Sequence, residues 1–304
     1  MRHLRHWLTT RGPGPRTTAP DRRMSHASDA LGLSDTALPL LRDLVLDRVG
    51  MHFPDDRLDF LRERVAPLVV ERGFQSFLDY YYLLKYDSQA DLEWRRVMDV
   101  LSVPETYFWR EIDQLRAVVD QVVPALVESG AGRPLRIWSV PCATGEEPLT
   151  LAMLLDEQGW FGRAAIEIHA ADASPLVIER AVQGRFRERS FRALPEPLRD
   201  RYFTRAGELW QVDPALHARI RSWSVLNLMD DGELARIAGA PIVFCRNVLI
   251  YFDQAGVRRV VERLARLMPS PGYLCVGASE SLLKLNTVFQ LEEIGGAFVY
   301  VKRN

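Results

Sequence analysis

Cysteine, net charge and long apolar runs are all in short supply in this sequence. Its three cysteines, Cys142, Cys245 and Cys275, form no CxxC pair, so we expect neither a disulfide framework nor a zinc site. The formal net charge of −1 gives no support for a nucleic-acid partner. No apolar run approaches the length of a membrane span. The sequence therefore predicts a cytoplasmic globular protein that does not insert into a membrane and holds no metal.

Aliphatic residues are scarce in the first 33 residues, which are instead basic and rich in proline, threonine and glycine. Such a segment cannot bury a core, so residues 1–33 are predicted to be a disordered tail. The tail has no apolar signal-peptide region, and Met24 is an alternative first residue. The remaining chain is long enough for two domains.

The segment 34–103 shows the spacing of apolar residues at three and four positions that is typical of helices. The runs "LPLLRDLVLDRVG" and "DDRLDFLRERVAPLVVERG" each end in a glycine, which commonly terminates a helix, and "SFLDYYYLLKYD" and "DLEWRRVMDVLS" follow. We expect a small helical domain here. Pro104 ends it, and Glu105 or Thr106 is predicted to begin a further helix that runs to Gly130.

The segment 104–304 changes to apolar strands that alternate with helices. Strands are predicted at "LRIWSV", "IEIHAADAS", "APIVFCRNVLIYF", "GYLCVGAS" and "AFVYVKR", with helical patterns such as "LTLAMLLDE", "LVIERAVQG" and "GVRRVVERLARLM" between them. This alternation is typical of an α/β fold with a parallel sheet. Within about 185–226 the alternation breaks, and "ELWQVDPALHARIRSWSVLNL" is interpreted as two strands of a small antiparallel insertion.

Glycine is also scarce in the loop that follows the first predicted strand, "VPCATGEEP" at positions 140–148. A phosphate would favour glycines there, and Glu146 at the start of the next helix would repel a pyrophosphate. Asp172 ends the second predicted strand, where a carboxylate can accept hydrogen bonds from ribose hydroxyls. Acids at both places predict a nucleoside that carries positive charge and no phosphate. S-adenosylmethionine is such a nucleoside.

Glu146 and Asp172 each have a purely structural interpretation as well. Glu146 could be a helix-start acid favoured by the helix dipole, and Asp172 could cap the helix that begins with "SPLVIERA". Packing alone does not explain Arg246 and Asn247, which interrupt the apolar run "IVFCRNVLIYF", because a buried arginine needs polar partners. Strand ends are where open α/β sheets bind ligands, so together these positions favour a site.

Several of these stretches occur in the order found in one protein family. The segments "VPETYFWRE", "RIWSVPCATGEEPLTLAMLL", "HAADASPLVIERAVQGRF", "IVFCRNVLIYFD" and "GYLCVGASESL" resemble CheR-type chemotaxis protein-glutamate O-methyltransferases over about residues 35–303. The resemblance implies an N-terminal all-helical domain and a Rossmann-like S-adenosylmethionine-dependent methyltransferase domain with a small antiparallel β insertion. It also implies the reaction, in which glutamate side chains on the cytoplasmic helical bundle of chemoreceptors become 5-O-methyl esters and S-adenosylhomocysteine is released.

The resemblance places the family's cofactor contacts at eight positions of this chain. They are Thr106, Arg110, Glu146, Asp172, Asn227, Leu228, Arg246 and Asn247. Three positions depart from the family pattern. Trp109 replaces the second phenylalanine of Thr-x-Phe-Phe-Arg, Pro104 stands where some members have an asparagine, and Leu149 replaces the tyrosine of Gly-Glu-Glu-Pro-Tyr.

Two residues are candidates for roles near the reacting atoms. The resemblance places Arg110 between the domains, close to the cofactor carboxylate or the substrate glutamate, whereas on residue type alone it could pair with Glu111 or Asp113 on a solvated helix face. Tyr251 could line the methyl channel or be a core tyrosine. A substrate carboxylate has a pKa of about 4.3 and needs no strong general base.

The surface that meets the substrate is less clearly marked. Arg57 and Arg64 share a helix face with Arg62 and Arg72 nearby, which suits an acidic bundle, although a solvated charged face is the favoured interpretation. We expect a monomer with no nucleic-acid partner. Two alternatives stay open: a methyltransferase for a different substrate, such as a small molecule or RNA, and a non-catalytic relative that binds S-adenosylmethionine or acts as a scaffold.

Overall fold

The structure is a computed structural model that describes residues 35–130, 133–285 and 287–303. The predicted tail, 1–33, lies outside the described residues. The predicted fold class is confirmed, since a helical bundle precedes an α/β domain that carries a small antiparallel sheet. Within the described residues, no helix is both long and apolar enough to cross a membrane.

Four helices with a core of their own form the N-terminal part. They are α1 Leu38–Val49, α2 Leu58–Glu71, α3 Phe77–Tyr86 and α4 Ala90–Leu101. Gly50 ends α1 in the left-handed region with φ 77°, and the Ser76 side chain accepts a hydrogen bond from the Asp79 N–H to cap α3. The buried Glu93 carboxylate accepts hydrogen bonds from the Tyr80 hydroxyl and from Arg72, which satisfies the charge inside this core.

The predicted helix start at Glu105 or Thr106 is wrong. The next helix begins only at Ile112, as α5 Ile112–Ala117, a π-helical turn Val118–Val122 and α6 Val123–Glu128. Trp109 at φ 71° and Glu111 at φ 48° occupy the left-handed region, which an α-helix cannot include. Thr106 and Arg110 therefore lie on a linker that precedes the helix.

Ten strands are present in the described part of the α/β domain. They are β1 Leu135–Ser139, β2 Ile166–Asp172, β3 Arg185–Arg187, β4 Phe203–Ala206, β5 Leu209–Val212, β6 Ile220–Val225, β7 Ile242–Phe244, β8 Gly272–Cys275, β9 Gln290–Ile294 and β10 Ala297–Lys302. The main sheet has the order β6-β2-β1-β7-β8-β10-β9, parallel from β6 to β8, with β10 antiparallel to its two neighbours. The carboxyl ends of β1, β2 and β7 therefore lie side by side at one edge.

Helices pack against this sheet or connect its strands. They are α7 Glu146–Glu157, α8 Trp160–Arg163, α9 Pro175–Gln183, α10 Glu196–Tyr202, α11 Pro214–His217, α12 Asp231–Leu234 and α13 Gln254–Leu267. Helix α7 is buried along nine of its residues, so its sequence is apolar on almost every side. Helix α13 has an exposed charged face and buries Val260, Val261 and Leu264.

The strands in the structure differ from the predicted ones in two places. The long strand predicted over "APIVFCRNVLIYF" ends at Phe244, because the following backbone N–H groups of Asn247 and Leu249 bond to the Glu280 carboxylate rather than to a neighbouring strand. The small antiparallel sheet has the order β3-β5-β4. The strand Ile220–Val225, interpreted as part of that insertion, instead pairs in parallel with β2 at the edge of the main sheet.

The helical bundle is joined to the α/β domain by backbone contacts. The N–H of His52 donates to the carbonyl of Tyr251 at 2.8 Å, and Met51 forms a β-bridge with Phe252. Gly50 is needed at this junction, since a Cβ on it would lie 1.8 Å from a ring carbon of Phe252. The bundle is thereby held over the carboxyl ends of the strands.

Candidate active site

A cleft opens between the helical bundle and the carboxyl ends of the strands. Eight of the nine residues selected from the sequence line it: Thr106, Arg110, Asp172, Asn227, Leu228, Arg246, Asn247 and Tyr251. The bundle contributes apolar side chains to the facing wall, among them Val49, Met51 and Met98. The structure thus brings together residues that are up to 145 positions apart in the chain.

Asp172 stands at the end of β2 with 6 % of its surface exposed. One carboxylate oxygen accepts from the Ala143 N–H at 3.0 Å, and the other accepts from the Ser174 N–H at 3.1 Å. Burial raises the pKa of Asp172 to about 6, although these hydrogen bonds oppose the shift. The Ala173 N–H also favours the charged form, and because a carboxylate has about four acceptor sites, Asp172 can still accept from a ligand.

Three backbone N–H groups of the loop between β1 and α7 are not available to cradle a phosphate. The N–H of Cys142 donates to the Ala171 carbonyl, that of Ala143 donates to Asp172, and that of Gly145 donates to the Cys142 carbonyl. These donors are already used inside the protein, and acidic side chains stand nearby. The residues fit a positively charged nucleoside without phosphate, as S-adenosylmethionine is.

Glu146 is the one selected residue that does not line the cleft. It is 2 % exposed, and its carboxylate accepts from the hydroxyls of Thr144 at 2.6 Å and Ser190 at 3.0 Å. Its neighbour Glu147 lines the cleft instead. Adjacent residues of a helix point about 100° apart, so only one of the two acids can face a ligand.

Arg246 is buried and connects three parts of the site. Its guanidinium donates to Glu147 at 3.0 Å, to Glu111 at 2.9 Å and to the carbonyl of Arg110 at 3.1 Å. Burial opposes ionisation of both acids. Beside Arg246 the pKa of Glu111 is nevertheless held below its usual range, whereas the more deeply buried Glu147 keeps a raised pKa. Arg246 therefore acts as a bridge between the linker and helix α7.

The conformation of Asn247 depends on an acid that the sequence analysis did not select. Asn247 has φ 59°, its N–H donates to Glu280 at 2.8 Å, and its amide donates to Glu111 at 3.3 Å. The buried Glu280 also accepts from the N–H groups of Leu249 and Ile250. A single acid among small and uncharged neighbours in "GASESL" gives no periodic signal, so only the fold reveals this role.

Asn227 takes part in joining the two domains. Its amide donates to the carbonyl of Arg48 on α1 at 2.8 Å, while its side-chain oxygen accepts from the Met229 N–H at 2.9 Å. Leu228 beside it is 6 % exposed and presents an apolar surface to the cleft. An apolar wall of this kind suits a flat aromatic base.

Arg110 and Tyr251 both line the cleft, and they lie close enough for the Arg110 charge to act on the Tyr251 hydroxyl. Arg110 donates to the carbonyl of Glu105 at 2.8 Å and lies 3.8 Å from Glu111, so part of the alternative ion pair exists although the residue is not on a helix. Burial and Glu105 raise the pKa of Tyr251, whereas the charges of Arg110 and Arg57 oppose the shift. Tyr251 is thus a neutral phenol near two cations.

The arginines of the predicted basic face have different surroundings in the structure. Arg72 pairs with Glu93, and Arg64 lies 4.9 Å from the ring centre of Phe60, as expected of a solvated face that serves the fold. Arg57 is exposed and acts on Tyr251 at the cleft. Among the described residues, no group of histidine, cysteine and acidic side chains could hold a metal ion.

Comparisons with known proteins agree with this geometry. The family model described as the CheR methyltransferase SAM-binding domain matches residues 104–297, and that of the CheR methyltransferase all-alpha domain matches residues 36–102. The chain is 32 % identical over 273 residues to Chemotaxis protein methyltransferase 2 of Vibrio cholerae, covering 89 % of this chain and 94 % of that protein. Chemotaxis protein methyltransferase 1 of Pseudomonas aeruginosa is 33 % identical over 86 % of this chain and 96 % of its own length.

A further relative is named for biofilm formation rather than chemotaxis. The chain is 36 % identical over 227 residues to the Probable biofilm formation methyltransferase WspC of Pseudomonas aeruginosa, which covers 72 % of this chain and 53 % of that protein. The chain therefore spans about half of the length of this longer relative. With both domain models matched in order and relatives at 32–33 % identity over most of the chain, the chain belongs to the CheR methyltransferase family and is an S-adenosylmethionine-dependent methyltransferase.

Proposed function

We propose that this protein methylates glutamate side chains on the cytoplasmic helical bundle of chemoreceptors for adaptation in chemosensory signalling. Two relatives named chemotaxis protein methyltransferase support a role in chemotaxis. The observation that carries the proposal is the cleft itself. The buried Asp172 and the largely buried Glu147 line it together with the more exposed Arg110 and with Tyr251, and Arg57 lies close enough to affect Tyr251. Carboxylates suit the cationic cofactor, and guanidinium groups suit an anionic substrate.

Asp172, Asn227 and Leu228 are proposed to hold the nucleoside. The Asp172 carboxylate accepts from the ribose hydroxyls, and the apolar Leu228 lies against the base. Glu147 supplies negative charge toward the amino-acid end of the cofactor. When bound, S-adenosylmethionine supplies an activated methyl group on a sulfonium.

The chemical step asks little of the protein beyond positioning. The glutamate carboxylate is already ionised at neutral pH, so no residue has to remove a proton. Arg110 and Arg57 are proposed to orient this carboxylate, and the Tyr251 hydroxyl lines the path toward the methyl group. Transfer of the methyl group to the substrate carboxylate would neutralise one positive and one negative charge. A cleft that excludes water favours that neutralisation.

The proposal is tested by transfer of labelled methyl groups to a receptor fragment. We expect base-labile label on fragments with glutamate at the modification sites and none where those glutamates are replaced by alanine. Label that resists base, or label on a small molecule or RNA, would indicate a different substrate. Cofactor binding without any transfer would indicate the non-catalytic alternative.

Asp172→Ala provides the matching test of the cofactor site. Loss of the ribose acceptor should weaken S-adenosylmethionine binding by roughly 1–3 kcal/mol in calorimetry. Ser222→Ala on the neighbouring strand is a suitable control, because its hydroxyl contacts His169 and does not line the cleft. Equal affinities for Asp172→Ala and the wild type would remove Asp172 from the cofactor site.

A further inference from the structure

Helix α9, which follows Asp172, is capped by a residue of the helical bundle. Asp99 on α4 accepts hydrogen bonds through one carboxylate oxygen from the Ser174 hydroxyl at 2.5 Å and from the Leu176 N–H at 3.0 Å. Ser174 is fully buried and itself caps α9, since its hydroxyl oxygen accepts from the Val177 N–H at 3.1 Å. Two domains thus share the first turn of one helix.

The same turn fixes the carboxylate at the end of β2. Asp172 accepts from the Ser174 N–H at 3.1 Å, so Ser174 bonds to Asp172 through its backbone and to Asp99 through its side chain. A shift of Ser174 would therefore rotate or displace the Asp172 carboxylate. The chain of contacts runs from the helical bundle to the cofactor cleft in two hydrogen bonds.

We propose that Asp99 is a positioning residue for cofactor binding, which holds Ser174 and thereby aims Asp172 into the cleft. The inference rests on the proposed role of Asp172 as the ribose acceptor. It makes cofactor affinity a property of both domains, because the bundle supplies the group that orders the binding carboxylate. Asp99 does not itself line the cleft, so it acts through Ser174.

Asp99 also affects Asp172 through its charge. Burial is the main cause of the raised pKa of Asp172, the backbone N–H groups of Ala143 and Ser174 oppose it, and the Asp99 charge adds to it. The Cys142 thiol on the adjoining loop stays neutral, since burial holds its pKa well above the usual range. Removing the Asp99 charge should therefore let Asp172 stay ionised at lower pH.

The experiment measures S-adenosylmethionine affinity by calorimetry between pH 5 and 8 for full-length Asp99→Ala, Asp99→Asn and Asp172→Ala. Asp91→Ala on the same helix is the control, because Asp91 is an acid that forms its ion pair with Arg48 and is 82 % exposed. We expect Asp99→Ala to weaken binding by about tenfold at neutral pH, whereas Asp99→Asn keeps an acceptor oxygen and most of the affinity. In both Asp99 variants, the pH at which affinity is lost on acidification should be lower than in the wild type.

A thermal melt of each variant checks that the protein is folded. A purely structural role of Asp99 would lower the melting temperature and leave the cofactor affinity and its pH profile unchanged. That outcome would overturn the inference, provided that Asp172→Ala itself weakens binding. If Asp172→Ala binds as the wild type does, the proposed role of Asp172 fails and takes this inference with it. A pH profile shifted in both Asp99 variants but not in Asp91→Ala would support it.

Discussion

Arg246 and Glu147 form a buried ion pair in the wall of the cleft, with 3.0 Å between the guanidinium nitrogen and the carboxylate oxygen. Only 2 % of the Arg246 side chain and 15 % of the Glu147 side chain are exposed. The other side of Arg246 bonds to Glu111 at the start of α5. The pair thus fixes the position of the linker relative to the sheet.

Replacing Arg246 by alanine should destabilise the protein by about 3–5 kcal/mol, because the largely buried Glu147 and the partly buried Glu111 lose their shared cation. Arg201→Ala is the comparison, since the Arg201 side chain is 56 % exposed and its ion pair with Glu157 should contribute about 1 kcal/mol or less. Denaturant unfolding of the two variants measures the difference. Similar losses would show that the Arg246 network does not stabilise the junction.

Gly50→Ala should disturb the contact between the two domains. The new methyl group would overlap the Phe252 ring, which lies 1.8 Å from the Cβ position, and alanine at φ 77° adds strain. Gly73→Ala is a close control, because Gly73 has φ 75° but no atom within 4 Å of its Cβ position.

Both glycine variants share a backbone cost of about 1–2 kcal/mol, so the further loss in Gly50→Ala, expected at about 1–3 kcal/mol, reports the overlap with Phe252. Thermal unfolding of the two variants, read against the wild type, gives this difference. Equal melting temperatures for the two would mean that the ring moves aside without cost.

Much of the fold follows from patterns that are local in sequence. The buried runs around Ile137 and Ile168 and the amphipathic helix that ends at Leu267 were predicted because burial imposes a period on neighbouring residues. The pairing of β6 with β2 was not predicted, since strand partners are set by distant contacts that leave no periodic trace. The positive φ of Trp109 and Glu111 was missed for a different reason. Both residue types occur in helices, so nothing in the sequence indicated a left-handed backbone.

The candidate site was predictable where a residue type contradicts its surroundings. Arg246 within an apolar run had to find polar partners, and the structure supplies Glu111 and Glu147. Which of two adjacent acids faces the cleft could not be decided from sequence, because it depends on the rotation of α7 against Ser190 and Arg246. Glu280 was missed because its four backbone partners come together only in the folded chain.

Cofactor affinity should fall as the pH decreases through about 6. Burial raises the pKa of Asp172 to about 6. As the proposed ribose acceptor, Asp172 should accept hydroxyl hydrogen bonds best when ionised, so its protonation at acidic pH should remove affinity that is present at higher pH. We expect binding at pH 5 to be about tenfold weaker than at pH 7 in calorimetry.

Two substitutions test whether Asp172 causes this fall in affinity at acidic pH. Asp172→Asn should bind weakly at every pH, with the dependence gone. Burial also raises the pKa of Glu147, so Glu147→Gln distinguishes the two acids. If the fall in affinity disappears in Glu147→Gln and persists in Asp172→Asn, Glu147 rather than Asp172 is responsible.

Arg110→Lys should preserve the fold and impair the reaction. The side chain is 29 % exposed, so a lysine can reach solvent, but an ammonium cannot match the planar fork with which a guanidinium holds a carboxylate. The contact with the Glu105 carbonyl at 2.8 Å leaves the other terminal nitrogen of Arg110 available to the cleft. We expect methyl transfer to slow by about ten- to a thousandfold, as roughly 1.4–4 kcal/mol of oriented contact is lost.

Single-turnover transfer to a receptor fragment at saturating cofactor measures this step without contributions from cofactor affinity. Arg116→Lys is the matched control, because Arg116 lies 5.6 Å from the ring centre of Trp109 on the same stretch of chain and does not line the cleft. A slow Arg110→Lys beside a normal Arg116→Lys would assign the guanidinium to substrate or cofactor orientation. Near-wild-type rates for both would mean that Arg110 contributes only its contacts with the Glu105 carbonyl and Glu111, and would remove it from the site.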